Sequence, residues 1–283
     1  MRKQVFEGLG RILPMNLMSL AAGKAARMKL PVPLQNSVCS AFVKTFGIDM
    51  SEAERPLEDY PTIEDVFTRK LKAGARPIQG EICFPADGIL CVSGPASKNS
   101  AIQAKGLNYS LAELMFGDDV PPDLALAWSA TVYLAPHNYH RVHSPIKGEL
   151  KDIRYYPGQL WPVNAASARW TPSLFTRNER LVFDIANQDG HLYLAMVGAL
   201  NVGRMTTPFL PNFASNASAR GMSRQGPRKF ELDRSHRIVP GQELGTFMLG
   251  STVIIAFDEA LAKRYRMDQA LSSRPVRMGE SLS

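Results

Sequence analysis

Ser251 follows Gly250 inside a stretch that otherwise reads as strand, Glu243-Leu244-Gly245-Thr246-Phe247-Met248-Leu249-Gly250-Ser251-Thr252-Val253-Ile254-Ile255-Ala256-Phe257. Phe247 and Leu249 alternate with Thr246, Met248 and Gly250, and Val253 to Phe257 is a continuous apolar run of the buried-strand kind. Glycine inside such a pattern marks a bulge or a sharp bend. The Ser251 hydroxyl therefore sits beside the carbonyl of its own peptide bond. Three readings are open. The pair is an ordinary turn; or the serine is a nucleophile for an external ester; or its hydroxyl attacks the Gly250 carbonyl and cuts the chain.

Either chemistry needs a base. Three of the five histidines, His137, His140 and His143, lie within seven residues. Histidine is the side chain whose unperturbed titration falls near neutral pH, so His140 and His143 are candidates for separate acid–base roles. Zinc through His-x-x-His-x-x-His fits poorly. On a strand His137 and His143 share a face while His140 points away, and no neighbouring Cys or acid completes a site of known spacing. No metal is expected. His137 follows Pro136 and reads as a turn residue. Asp87, in Phe84-Pro85-Ala86-Asp87-Gly88, is either turn chemistry or a carboxylate that orients a base. The order Asp87, His143, Ser251 occurs in one known hydrolase arrangement. Gly250-Ser251-Thr252 is not a Gly-x-Ser-x-Gly elbow, so an α/β-hydrolase is not supported.

The elements that must hold these residues divide the 283-residue chain in two. Residues 1–33 carry Arg2, Lys3, Arg11, Lys24, Arg27 and Lys29 against the single acid Glu7. Val5, Phe6, Leu9, Ile12 and Leu13 form a one-sided apolar stripe, and Pro14 splits the segment into two short helical pieces. No apolar run approaches the ~18 residues that span a bilayer. This is the composition of an element lying on an anionic membrane surface, or of a soluble helix with a solvated basic face. Residues 34–72 read as helical: Val38, Phe42, Val43 and Phe46 keep a 3.6-residue period and Gly47 stops them. Asp49 and Ser51 are candidate caps for a short helix to Arg55, and Thr62 caps another. Residues 76–283 alternate short apolar runs with Gly, Pro and Asn, the pattern of an antiparallel β-rich domain. Ser110 caps a helical insert over 110–116. Residues 206–240 read as long loops. The fold class is α+β, N-terminal helices followed by an antiparallel β-rich catalytic core. A net charge of +7 suggests an anionic partner. The scattered Cys39, Cys83 and Cys91 fit a reducing compartment.

Pro85-Ala86-Asp87-Gly88, Tyr139-His140-Arg141-Val142-His143 and Leu249-Gly250-Ser251-Thr252 resemble the three signatures of the pyruvoyl-dependent phosphatidylserine decarboxylases, in family order. Gln103-Ala104-Lys105-Gly106, Phe175-x-x-Asn178-Glu179-Arg180 and Val197-Gly198-Ala199 also look like family segments, so the resemblance covers nearly the whole chain. The short leader and Leu-Gly-Ser-Thr resemble the bacterial form; Asn138 stands where the family commonly has Asp. The resemblance implies that Asp87 holds His143, which deprotonates Ser251, and that the chain cuts itself between 250 and 251. Chains 1–250 (β) and 251–283 (α) would result, with a covalent pyruvoyl cofactor made from Ser251. It further implies that this carbonyl forms a Schiff base with phosphatidylserine, that CO2 leaves and that His140 handles the replacing proton. Lys105 with the Gly106 backbone would meet the lipid phosphate. A lipid substrate gives the basic leader a reason to dock peripherally on the cytoplasmic face of the cell membrane. A homodimer is left open. No nucleic acid partner is expected: the Arg-rich 220–237 stretch has only Phe230 for base stacking. The rival enzyme reading is a Ser-His-Asp hydrolase acting on an external ester.

Overall fold

The computed structural model describes residues 15–97, 99–104, 107–163, 165–200, 204–215, 226–248 and 251–282. The apolar stripe of Val5 to Leu13, the candidate ligands Lys105 and Gly106, and Gly250 lie outside them. The chain enters through helix α1 (Met15–Ala26) and helix α2 (Val32–Phe46). Gly47 ends α2 with φ +65°, a left-handed cap that glycine adopts without a Cβ clash. After a 3₁₀ turn at Leu57–Asp59 comes α3 (Ile63–Phe67), whose cap Thr62 accepts the Asp65 N–H at 3.1 Å. These helices enclose a small core of Cys39, Ile48, Tyr60 and Val66. The short helix expected over 49–55 is absent. Asp49 instead accepts the Ser51 N–H at 2.8 Å, an Asx turn, and Ala53 bridges to Leu71. A side-chain acceptor two residues back competes with helix initiation, and here it prevails.

The rest is β-rich. In order come β1 (Gly88–Pro95), β2 (Ser100–Ala104), β3 (Leu107–Ser110), α4 (Leu111–Phe116), β4 (Leu126–Leu134), β5 (Arg141–His143) and β6 (Gly148–Tyr156). Then follow α5 (Ala165–Trp170), α6 (Leu174–Arg177), β7 (Arg180–Asn187), β8 (Gly190–Val197) and β9 (Met205–Thr206). The chain ends with β10 (Arg228–Ile238), β11 (Glu243–Phe247), β12 (Ser251–Asp258), α7 (Glu259–Arg264) and β13 (Arg274–Val276). One antiparallel sheet runs β10-β6-β7-β8-β12-β4-β1-β13; a smaller one runs β5-β11-β9, and β2 pairs with β3. Ser110 caps α4 as expected, accepting the Glu113 N–H.

The expected buried strand is β12, which lies inside the large sheet between β8 and β4. Both faces of the sheet are covered there, so Val253 to Phe257 can all be apolar and all buried. Burying each Val, Ile or Phe side chain contributes about 1.5–3 kcal/mol. The small sheet presses directly on the large one: a Cβ at Gly245 would come within 2.6 Å of Met196 Sδ. The loop reading of 206–240 is corrected at β10, which pairs with β6 at the sheet margin. A strand bonded along only one edge can carry Arg228, Lys229 and Glu231 toward water, so it lacks the apolar alternation that marks interior strands.

Candidate functional site

Ser251 opens β12 opposite Leu134, the last residue of β4. From Leu134 the chain turns at once toward the histidines. Asn138 tightens that turn: its N–H donates to the Ala135 carbonyl at 2.9 Å and its Oδ1 accepts the Ala135 N–H at 2.8 Å. The side-chain carbonyl oxygen makes this bond, a role that a carboxylate oxygen could fill equally well. On the other side of Ser251, the Phe247 N–H at the end of β11 donates to the His140 carbonyl at 3.0 Å. The segment before Ser251 is thus tied to His140, and Ser251 itself to the strand that leads into His140. Among the described residues its buried hydroxyl has no hydrogen-bond partner, and neither has the buried His140 Nε2.

His140 is fully buried, its ring 3.9 Å from that of Phe67 on α3. Its Nδ1 lies 2.8 Å from the Asn138 carbonyl. A carbonyl can only accept, so Nδ1 carries the proton and Nε2 presents a bare lone pair. Burial pushes the imidazole pKa down to about 3, so the ring is neutral at pH 7. His143 is also mostly buried. Its Nδ1 donates to the Gly241 carbonyl at 2.8 Å, and its Nε2 accepts the Tyr139 hydroxyl at 3.0 Å. Burial lowers its pKa, opposed in part by the Gly241 hydrogen bond and by the charges of Glu243 and Asp87.

Asp87 is held elsewhere. Arg76 Nε donates to Oδ1 at 2.9 Å, Arg76 Nη2 to Oδ2 at 2.6 Å, and the Met278 N–H to Oδ1 at 2.9 Å. With both carboxylate oxygens and both His143 nitrogens engaged, Asp87 acts on His143 through its charge, not through a hydrogen bond. His137 is exposed, and its carbonyl accepts from Arg69. Among the described residues no three His, Cys, Asp or Glu side chains converge to hold a metal ion.

Several participants escaped the sequence. Arg141 Nη1 donates to both Glu243 carboxylate oxygens, at 2.9 and 2.8 Å, and its Nε donates to the Thr68 carbonyl, locking β5 to β11 and to the helical layer. Arg76 and Tyr139 hold Asp87 and His143. Arg141 and Tyr139 flank the histidines in sequence, so proximity could have flagged them; nothing local marks Arg76. The family-like Asn178-Glu179-Arg180 run fastens structure. Asn178 pins Trp161 and Gly198, Glu179 accepts the Tyr155 hydroxyl at 2.6 Å, and Arg180 donates to the Leu114 carbonyl at 2.7 Å. Gln103 likewise ties β2 to the carbonyls of Ala168 and Thr171.

The arrangement offers a buried hydroxyl, a neutral imidazole with a free lone pair, a second imidazole under the influence of two carboxylates, and no metal cluster among the described residues. Comparison with known proteins gives it a context. The sequence profile of the phosphatidylserine decarboxylase family matches residues 63–283. A phosphatidylserine decarboxylase proenzyme of Anaeromyxobacter sp. (strain K) is 37% identical over 286 residues, spanning 100% of this chain and 99% of the relative. The proenzyme of the same name from Myxococcus xanthus is 36% identical over 288 residues, with 100% and 99% covered. That of Alcanivorax borkumensis is 38% identical over 272 residues, with 93% and 90% covered.

Proposed function

The chain belongs to the phosphatidylserine decarboxylase family, and on that premise we propose that it cuts itself before Ser251 and then converts phosphatidylserine to phosphatidylethanolamine and CO2. The observation that carries this is the Ser251 hydroxyl, buried and without a partner among the described residues, at the head of an interior strand with His140 tied to the chain on both sides. A buried hydroxyl without a partner costs about 1–3 kcal/mol, and a role as reactant gives it a reason to be there.

In this reading His143, under the charge of Asp87, accepts the Ser251 proton, for which its Nε2 must leave the Tyr139 hydroxyl. The alkoxide attacks the Gly250 carbonyl and the amide becomes an ester. β-Elimination frees the Gly250 carboxylate and leaves dehydroalanine at 251. Water then replaces its nitrogen, which departs as ammonia, and a pyruvoyl group remains. That group supplies an electrophilic carbonyl for the substrate amine and an electron sink as CO2 leaves. His140, neutral with Nε2 bare, takes the proton that the substrate ammonium must lose before its nitrogen can attack, and delivers it to the α-carbon. The apolar wall of Phe67 and the burial of both histidines keep bulk water away from that proton. Lys105 and the Gly106 backbone meet the lipid phosphate. Fragments 1–250 and 251–283 stay together because β12 is bonded on both edges inside the sheet.

The protein docks peripherally on the cytoplasmic face of the membrane. No described helix is long and apolar enough to cross a bilayer. Leu17, Met28, Val32 and Leu34 stand exposed beside Lys24 and Lys29, an apolar and cationic combination suited to an anionic lipid surface. Cys39, Cys83 and Cys91 are free thiols, in keeping with a reducing compartment.

A denaturing gel with intact-mass measurement tests the reading. Wild-type protein should appear as two fragments, the smaller with a blocked N-terminus, and Ser251→Ala should remain whole and inactive. An uncut, active wild-type chain would overturn it, and labelling of Ser251 by a phosphonate on that uncut chain would favour the hydrolase. His143→Ala should block cleavage, whereas His140→Ala should cleave and fail to turn over. Normal cleavage of His143→Ala would remove His143 from the role of base.

A further inference from the structure

We propose that the C-terminal tail is a positioning element for self-cleavage: until residues 277–282 dock, the strip that carries Asp87 and orients His143 is not in place, and the bond before Ser251 is not cut. This rests on the reading of Ser251 given above.

The strip is residues 82–87. One edge of it is bonded to the tail. The Phe84 N–H donates to the Glu280 carbonyl at 2.8 Å, the Gly279 N–H to the Phe84 carbonyl at 3.0 Å, and the Leu282 N–H to the Ile82 carbonyl at 3.1 Å. The other edge is bonded to the histidine strand. The His143 N–H donates to the Pro85 carbonyl at 2.8 Å and the Cys83 N–H to the Pro145 carbonyl at 3.0 Å. The tail therefore reaches the backbone of His143 through a single layer of chain. It reaches Asp87 directly, since the Met278 N–H shares Oδ1 with Arg76.

Asp87 and Arg76 are both largely buried, their side chains 8% exposed. A buried carboxylate is costly unless its oxygens are hydrogen-bonded, and the guanidinium fork with one backbone N–H supplies those bonds in fixed directions. Removing the tail takes away the N–H and one entire edge of the strip, leaving Asp87 and the Pro85 carbonyl free to move. The tail's turn is built for this fit. Gly279 has φ +86°, and a Cβ there would come within 2.5 Å of the Pro77 carbonyl oxygen, next to Arg76. The tail also lies beyond the scissile bond, in the fragment that cleavage detaches. Making cleavage wait for it ensures that the fragment carrying residue 251 is seated before the covalent link is lost.

The test is the rate of precursor cleavage, followed by intact mass after synthesis. A chain ending at Val276 and the variant Met278→Pro, which removes the N–H, should each cleave at least tenfold more slowly than wild type. Arg76→Gln should do the same, and Arg76→Lys, which keeps the charge without the fork, should recover part of the rate. Thermal unfolding of each change on a Ser251→Ala background separates slow cleavage from misfolding. Where the tail changes unfold the chain, the folded Arg76 pair decides. If folded Met278→Pro, Arg76→Gln and Arg76→Lys proteins all cleave at the wild-type rate, the inference is overturned while the proposed function stands. If the wild-type chain does not cleave, both fall.

Discussion

In the helical layer Leu17, Met28, Val32 and Leu34 are each more than half exposed, whereas Val253 to Phe257 in β12 are at most 1% exposed. Both regions carry apolar side chains, but they dispose them differently. The sheet is closed over its own apolar residues and holds Ser251 where a strand begins. The helices leave theirs facing outward beside Lys24, Lys29 and Lys44, with the small core of Cys39, Ile48, Tyr60 and Val66 beneath. The contrast teaches where precision is kept. The Ser251 hydroxyl sits where packing leaves no alternative arrangement, and the exposed apolar side chains sit where packing is incomplete. The regions meet at α3, whose Phe67 covers His140 and also faces Phe42 on α2, with ring centroids 6.5 Å apart.

The comparison breaks most visibly if a core residue and a helical one cost the same. Phe257→Ala, on an uncleavable Ser251→Ala background, should lower unfolding free energy by about 3–5 kcal/mol. Leu34→Ala should change it by no more than about 0.5 kcal/mol. Denaturant titration measures both, and equal losses would mean the sheet is not the stabilising unit. Next in size is acid. His140 has a folded pKa near 3, below its unfolded value. Between the two the unfolded chain binds a proton that the folded chain does not, so stability is lost as pH falls below about 6.5. At pH 5 the loss relative to pH 7 should be about 2 kcal/mol from His140 alone. His140→Gln should flatten that slope, and an unaltered slope would show that the ring is not held neutral. Residues 15–67 contain no histidine, so this acid loss belongs to the sheet side. The smallest effect on folding, with a clear effect on docking, comes from changing Lys24, Lys29 and Lys44 to Gln. Each should weaken binding to phosphatidylserine-containing vesicles about fivefold, near 1 kcal/mol per charge, with an unchanged unfolding midpoint. Sedimentation of vesicles with bound protein reads this out, and unaltered binding would take the helical layer away from the membrane.

Much of the fold was legible because its signals are local. Gly47, Thr62 and Ser110 mark helix ends through their own backbone or hydroxyl, and the run from Val253 to Phe257 can be satisfied only inside a sheet. Local reading failed where tertiary bonding outweighed it. Asp49 forms a turn instead of a helix, and β10 looks like loop because a marginal strand can be as polar as one.

The candidate site divides the same way. Sequence alone determined which residues are equipped for chemistry: a serine behind a glycine, two histidines three apart and an acid in a turn. It determined too that a basic segment precedes them. The tertiary structure decided how those groups are held. His143 Nδ1 meets the carbonyl of a residue 98 positions away, and Asp87 meets an N–H 191 positions away. Neither partner is marked by its own type, because any residue offers a carbonyl and nearly any an N–H. Only the folded path of the chain selects the one that lies within reach.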